Sequence, residues 1–412
     1  MTANQLRIAM LSVHSCPLGN LGAKDTGGMS IYVREVAREL GKQGLSVDVY
    51  TRVHDPRDEQ VLELGQNARL IHLRAGEIKD IHKLAVYSYL PDFADNLENF
   101  RKQNNLRYDL VFSHYWLSGC VGESLKNWWD VPHVIMFHTL GAVKNAIGIG
   151  EDEPELRIET ERQLVRDCHR IITATDKEKD DLILHYGASS KRIRVIPCGV
   201  NLDLFQPMDR ELAKQQLGFD DKKIILFVGR IEPLKGIDQL LRAMTYLPDG
   251  QGLRLVVIGG DEHSRNEIER LQRLSKELHI EDLVTFPGSI QHERLPYFYS
   301  AATVCVIPSY YESFGLVALE SMACGTPVVA TNVGNLKSII QQGETGYVVM
   351  DNTPHHLADK IALLLSKPSS NTKSAHSIQA SVTHFSWSNI AQEIIRECRE
   401  VLANYFTQRR KP

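Results

Sequence analysis

Two short stretches of the 412-residue sequence place charged side chains where they could act on a ligand. In "FVGRIEPLKGID" an apolar run ends at Gly229, and Arg230 and Lys235 follow around a proline-containing turn. Cations so placed sit at the carboxyl edge of a parallel sheet, where open α/β folds bind ligands. A planar guanidinium beside a compact ammonium could clamp a diphosphate; a solvated surface pair is the alternative. In "PSYYESFGLVALESMACGTPVVAT", Glu312 follows a strand and loop, and "SFGLVALESMA" reads as a helix carrying Glu320 two turns in. That rise sets the two backbones on the order of 12 Å apart. The carboxyl groups of a glycoside hydrolase pair lie about 5 to 9.5 Å apart, a poor match. Two readers of hydroxyl groups along one extended ligand fit better, with helix N-terminal amides facing a phosphate or sugar between them. Ordinary glutamates on a capped surface helix are the alternative.

"DTGGMSIYVREVAREL", residues 25 to 40, puts Gly27 and Gly28 at a helix start. Glycine costs a helix about 1 kcal/mol against alanine, so the pair marks either a plain turn or a backbone cradle for phosphate. "HYWLSG" (114 to 119) and "FHTLGAVKN" (137 to 145) each follow a strand and place His114, Tyr115, His138, Thr139 and Lys144 in edge loops. A histidine there either hydrogen-bonds a ligand hydroxyl or is a satisfied core group. Lys83 in "IHKLAVY" and Arg157 in "PELRIETERQ" extend a basic, hydroxyl-bearing set that could hold a second anion or stand solvated.

These residues need a scaffold of βα units. Strand-like runs "LRIAMLSV", "VDVYT", "ARLIHLR", "LVFSH", "HVIMFH", "RIITAT" and "RVIPCGV" alternate with helical segments in the first half, which predicts a parallel sheet. The pattern breaks at 197–207, where Pro, Gly, Asn and Asp cluster, and a hinge is expected there. "KIILFVGR", "LRLVVIGG", "LVTFPGS", "TVCVIPS", "PVVAT" and "TGYVVM" form a second series. The expected fold is α/β, two Rossmann-like doubly wound domains facing a cleft. The first spans 1–197 and the second 198–389. "SKPSSNTKS" (366 to 374) reads as a polar loop, and a closing helix, "WSNIAQEIIRECREVLANYF", should carry residues 390–412 back onto the first domain. The basic tail "QRRKP" reads as surface.

Composition narrows the function. Two domains suit the length, and ligands favour interdomain clefts. Hydrophobic residues at 43% with a formal net charge of −4 give no polyanion footprint, which argues against nucleic acid. Seven widely spaced cysteines without a C-x-x-C indicate neither a disulfide framework nor a zinc site, but buried thiols in a reducing cytoplasm. "MTANQLRIAMLSV", interrupted by Arg7, reads as a first strand rather than a signal peptide, and no run approaches about 18 apolar residues.

The order of motifs resembles the retaining, nucleotide-sugar-dependent glycosyltransferases of family 4, with the GT-B fold. "DTGGMSIYV", "HYWLSG", "HTLGAVKN", "VIPCGVN", "GRIEPLKG", "PSYYESFGLVALESMACGTPVVA" and "GETGYVV" occur in the family's order across nearly the whole chain, and "ESFGLVALE" is its E-x7-E signature. "HTLGAVKN" leans to members that glycosylate an inositol phosphate, "DTGG" to those that form sucrose phosphate. The resemblance implies that Gly27 and Gly28 face the donor phosphates and that Arg230 and Lys235 hold the diphosphate. Glu320 would take the nucleotide ribose, Glu312 with the Phe314, Gly315 and Leu316 backbone the transferred hexose, and Ile290 the border of the base. Lys83, Tyr115, Thr139, Lys144 and Arg157 would hold a phosphorylated acceptor.

The activity so implied is transfer of glucose or N-acetylglucosamine from a UDP-sugar, the donor being a substrate, with neither cofactor nor metal expected. His138 would position the sugar rather than act as a base. Relatives usually carry glycine and proline where this chain has Asn335 and Lys337, so the loop near the hexose differs. An epimerase or a sugar-nucleotide sensor on the same fold is the rival reading, against the acceptor cations and the intact E-x7-E. A nicotinamide oxidoreductase fits badly, because "DTGGM" lacks the G-x-G-x-x-G spacing. The sequence leaves a homodimer and peripheral membrane contact open.

Overall fold

Short runs of Val, Ile, Leu and Phe without polar interruption suit strands covered on both faces, as a parallel sheet between helices requires. The computed structural model describes residues 6–19, 27–79, 81–149, 152–219, 222–247, 252–261, 264–366 and 372–409. Asp25 and Thr26 of the "DTGG" motif lie outside them.

Every expected run contains a strand. The first sheet holds β1 (Arg7–Leu11), β2 (Ser46–Arg52), β3 (Val61–Gly65), β4 (Ala68–Leu73), β5 (Leu110–His114), β6 (His133–Met136), β7 (Arg170–Thr173) and β8 (Ile193–Val195), in the order β3-β4-β2-β1-β5-β6-β7-β8. The second holds β9 (Lys223–Val228), β10 (Leu253–Ile258), β11 (Val284–Gly288), β12 (Val304–Ile307), β13 (Val328–Thr331) and β14 (Gly346–Val349), in the order β11-β10-β9-β12-β13-β14. Pairing is parallel except between β3 and β4. Side chains alternate between faces as strand geometry demands: Ile8 and Met10 enter one core cluster, Ala9 and Leu11 another. The helix Gly28–Lys42 buries Val33, Val36, Ala37 and Leu40, one stripe at helical spacing.

One buried cluster runs continuously from one face of the first sheet to one face of the second and includes Phe385 and Trp387. The chain leaves the first sheet after Val195 and enters the second at Lys223. It returns through the final helix, Trp387–Arg409, whose Trp387 ring meets Tyr32 edge-on at 5.6 Å between centroids. Glu397 of that helix binds Arg170 at 2.7 Å and Arg194 at 2.8 Å, and Arg409 pairs with Asp130. The outgoing and returning segments touch, since the Val200 amide donates to the Phe385 carbonyl at 2.8 Å.

Several boundaries differ from expectation. The helix assigned to "SFGLVALESMA" begins at Leu316, not Ser313, because Gly315 has φ +105° and cannot be helical. Glu320 is therefore the fifth residue of the helix, not two turns in. No edge loop follows β5: Tyr115 opens the next helix directly, at φ +75°. Lys144 lies within a helix, Gly141–Ile147, rather than a loop. Of the expected loop 366–374, residues 372–374 belong to a helix, Thr372–Ala380, and 367–371 lie outside the described residues.

Candidate functional site

Each sheet has one point where strand order reverses, between β1 and β5 in the first and between β9 and β12 in the second. Loops leaving the carboxyl ends of such neighbours diverge and open a crevice. The two crevices face each other and form one cavity of about 320 Å³. The sixteen positions expected to bind ligand or act in catalysis line it, drawn from both domains, while His114 stands behind His138.

The wall from the second domain carries the residues expected to hold the donor. Arg230 and Lys235 follow β9, and Glu312 follows β12. Lys235 Nζ donates to Glu312 Oε2 at 2.7 Å, joining the two loops, while Arg230, half exposed, pairs with Glu232 at 2.9 Å. A turn with Gly236 at φ +64° sets the lysine; a Cβ there would stand 2.1 Å from the Pro308 carbonyl oxygen. Phe314, Gly315 and Leu316 form the start of the helix bearing Glu320. Glu320 is buried, with Oε2 accepting from the Tyr299 hydroxyl at 2.8 Å and Oε1 3.1 Å from His292 Nε2. Ile290 lies on the same wall.

Gly315 also fixes this helix by close approach, since a Cβ would meet Leu336 Cδ2 at 2.6 Å. Gly315→Ala is expected to destabilise the fold by about 1–3 kcal/mol, from the left-handed φ alone, and more if Leu336 cannot shift. Urea unfolding measures this; an unchanged midpoint would contradict it.

Gly27 and Gly28 bring the amide end of helix Gly28–Lys42 to the same cavity from the first domain. A Cβ on Gly28 would lie 3.3 Å from Leu316 Cδ1, so the two helix starts abut across the cleft.

The deeper wall is cationic. Arg157 is fully buried in the helix Glu155–Asp167. It donates to Glu161 Oε1 at 2.7 Å, to the Thr139 carbonyl at 2.8 Å and to Thr139 Oγ1 at 3.0 Å, and pairs with Glu153 at 2.9 Å. Its guanidinium carbon lies 4.8 Å from the centre of the Tyr115 ring. Burial opposes its charge, but Tyr115, Glu161 and Glu153 outweigh that and raise its pKa. Lys83, 3.4 Å from Glu153, and Lys144, bound to the same oxygen, complete the cluster. Burial lowers the Lys83 pKa, with Lys144 and Arg157 adding to the effect and Glu153 opposing it. Burial also works to raise that of Glu153, yet Arg157, Lys144 and Lys83 hold it at about 2. Burial pushes the Tyr115 hydroxyl up to about 12 despite Arg157.

His138 stands at φ +62° with Nε2 3.0 Å from His114 Nδ1. Burial brings its pKa down to about 3, so the ring is neutral at physiological pH. His114 is wholly buried.

Sequence reasoning missed His14, Tyr311 and His292, which line the cavity, and Glu153 and Glu161, which organise its cations. His14 packs on Tyr115 at 4.5 Å between centroids, and burial, then Lys83 and Arg157, bring its pKa down to about 3. Glu153, Arg157 and Glu161 stand four apart, but only Arg157 and Glu161 share the helix, so the spacing alone does not bring all three together. All seven cysteines are free thiols. Among the described residues no group of three His, Cys, Asp or Glu side chains could hold a metal ion, and no helix is long and apolar enough to cross a membrane.

Two facing doubly wound domains with the site between them define the GT-B class of glycosyltransferases. Residues 26–204 match the model of Glycosyltransferase Family 4, and residues 209–381 that of Glycosyl transferases group 1. The D-inositol 3-phosphate glycosyltransferase of Corynebacterium glutamicum is 35% identical over 97% of this chain and 98% of its own. That of Mycolicibacterium paratuberculosis is 39% identical over 98% and 92%. Sucrose-phosphate synthase from Thermosynechococcus elongatus superposes with a TM-score of 0.88 at 35% identity, covering 97% of this chain and all of that one. HepE of Anabaena, solved with UDP and glucose, shares the fold at 18% identity, with a TM-score of 0.76 over 96% of this chain and all of that one. The chain belongs to glycosyltransferase family 4, and it is a glycosyltransferase.

Proposed function

We propose that this enzyme moves a hexosyl group from a UDP-sugar to a phosphorylated polyol or sugar with retention of anomeric configuration. One observation carries the reading. A single cleft sets the Arg230, Lys235 and Glu312 wall, with two helix N-termini, opposite buried Arg157 and the partly buried Lys83 and Lys144. The first wall suits a diphosphate and a hexose, the second a phosphate monoester beside hydroxyl readers. The names of the relatives support a phosphorylated acceptor, and the Anabaena structure supports UDP in a fold of this kind.

In this scheme the bond between the anomeric carbon and the β-phosphate oxygen breaks, and its electron pair stays on the phosphate. The acceptor hydroxyl oxygen bonds to that carbon from the same face, and its proton passes to a phosphate oxygen. Charge develops on the departing diphosphate, so the preorganised donors Arg230, Lys235 and the Gly27 and Gly28 amides supply the main stabilisation. Glu312, paired with Lys235, faces the hexose. Neutral His138, held by His114, hydrogen-bonds a sugar hydroxyl and needs no proton exchange. Segment 197–207 would serve as the hinge on which domains 1–197 and 198–389 close.

Inositol phosphate with UDP-N-acetylglucosamine is the first pairing to test. The likeness to sucrose-phosphate synthase favours fructose 6-phosphate with UDP-glucose as the second. Purified enzyme offered each donor with each acceptor is expected to release UDP in one of these two pairings. Release that ignores the phosphate on the acceptor, tested with free inositol and fructose, would sink the acceptor assignment.

A further inference from the structure

A hydrogen-bonded chain crosses the cleft from Arg34, which the scheme above does not use, to Glu320. Arg34, on the helix Gly28–Lys42 of the first domain, lies 3.4 Å from Nδ1 of His292 in the second. Arginine has only donors, so Nδ1 must accept. The proton of neutral His292 is therefore on Nε2, which donates to Glu320 Oε1 at 3.1 Å. Tyr299 holds the other carboxylate oxygen, and Phe205 packs edge-on against the His292 ring at 5.1 Å. His292 and Glu320 are both buried. A second guanidinium nitrogen of Arg34 donates to Glu35 at 2.9 Å, which steers the arginine and leaves its NH2 group for the histidine.

The helix that carries Arg34 also presents Gly27 and Gly28 at its start. Arg34 lies six positions along the helix from Gly28, a rise of about 9 Å. One rigid element thus sets both the phosphate-facing amides and, through His292, the carboxylate across the cleft. We infer that Arg34 is an interdomain positioning residue for the donor: acting through His292, it fixes the Glu320 carboxylate and makes nucleotide affinity depend on the first domain being docked. This rests on the reading of Glu320 as the ribose ligand. By linkage, bound nucleotide favours the docked arrangement by the same factor.

UDP binding measured by calorimetry on the full chain tests the inference. Arg34→Met preserves bulk and leaves Glu35 paired with Arg38, so no buried charge is orphaned. Arg34→Met and His292→Phe are each expected to weaken UDP about 3- to 10-fold, the scale of one ordinary hydrogen bond. His292→Gln, whose amide both accepts and donates, should stay within about twofold of wild type. Because Arg34 acts through His292, the double variant Arg34→Met/His292→Phe should bind no more weakly than His292→Phe alone. Multiplying effects, or wild-type affinity in Arg34→Met, would overturn the relay. Glu320→Ala separates the two failures. If it binds UDP as well as wild type, the ribose reading falls and the relay with it; if it binds weakly while the double variant is multiplicative, only the relay falls.

Discussion

Lys235→Ala is expected to lower kcat about 100-fold while the protein stays folded, on the scale of removing one donor from a preorganised anion site. Lys235 is the junction of the two loops at the β9/β12 reversal, its ammonium donating to Glu312 at 2.7 Å. On the proposed reading, losing the ammonium removes a charge that would face the departing diphosphate and frees a half-buried carboxylate that would lie beside the hexose. Both effects oppose the transition state more than the bound donor, so KM for the donor should move far less than kcat. Lys235→Arg should recover only part of the rate, because a planar fork cannot take the place of a compact ammonium. Steady-state UDP release decides the matter; turnover within a few-fold of wild type would remove Lys235 from the chemistry.

Arg157→Met should act on stability as well as on the acceptor. The guanidinium is the only cation bonded to both Glu153 and Glu161 among the described residues, and Glu161 is fully buried. Breaking a buried ion network by removing one partner costs about 3–5 kcal/mol, because the remaining charges lose compensation. The urea midpoint should fall accordingly, and Arg157→Met/Glu161→Gln should regain part of the loss. Acid behaviour gives a second readout. Glu153 is held at about 2, below its ordinary value, so its contribution is present above about 4.5 and lost as pH falls toward about 2. With Arg157 gone that carboxylate titrates higher, so the loss of stability below about 4.5 should be smaller and complete at a higher pH than in the wild type. Unchanged stability and an unchanged acid limb would mean the network is dispensable.

The strands were legible because parallel strands covered on both faces leave unbroken apolar runs. β3 escaped for the opposite reason: "VLELG" is an antiparallel edge strand, mostly exposed, with only Leu64 buried. Sixteen site positions could be named because motif order carries the family's geometry, but their secondary structure was less secure. Tyr115 at φ +75° opens a helix where a loop was expected, and a left-handed non-glycine residue leaves no composition signal. His14, Tyr311 and His292 reach the cavity only through crossovers that bring distant loops together. Glu153 and Glu161 look solvated in "EDEPELRIETERQ", an acidic stretch whose inward face only the packing reveals.

The return of the final helix to the first sheet has a consequence for how the chain is made. Trp387–Arg409 follows all fourteen strands in sequence, yet it covers Tyr32 and ties down Arg170 and Arg194 of the first domain. During synthesis the second domain can mature before the first has its outer layer, although domains usually finish in the order they emerge. The nascent first domain therefore waits with a bare apolar flank, around Tyr32 and Val36, until the last helix arrives to seal it.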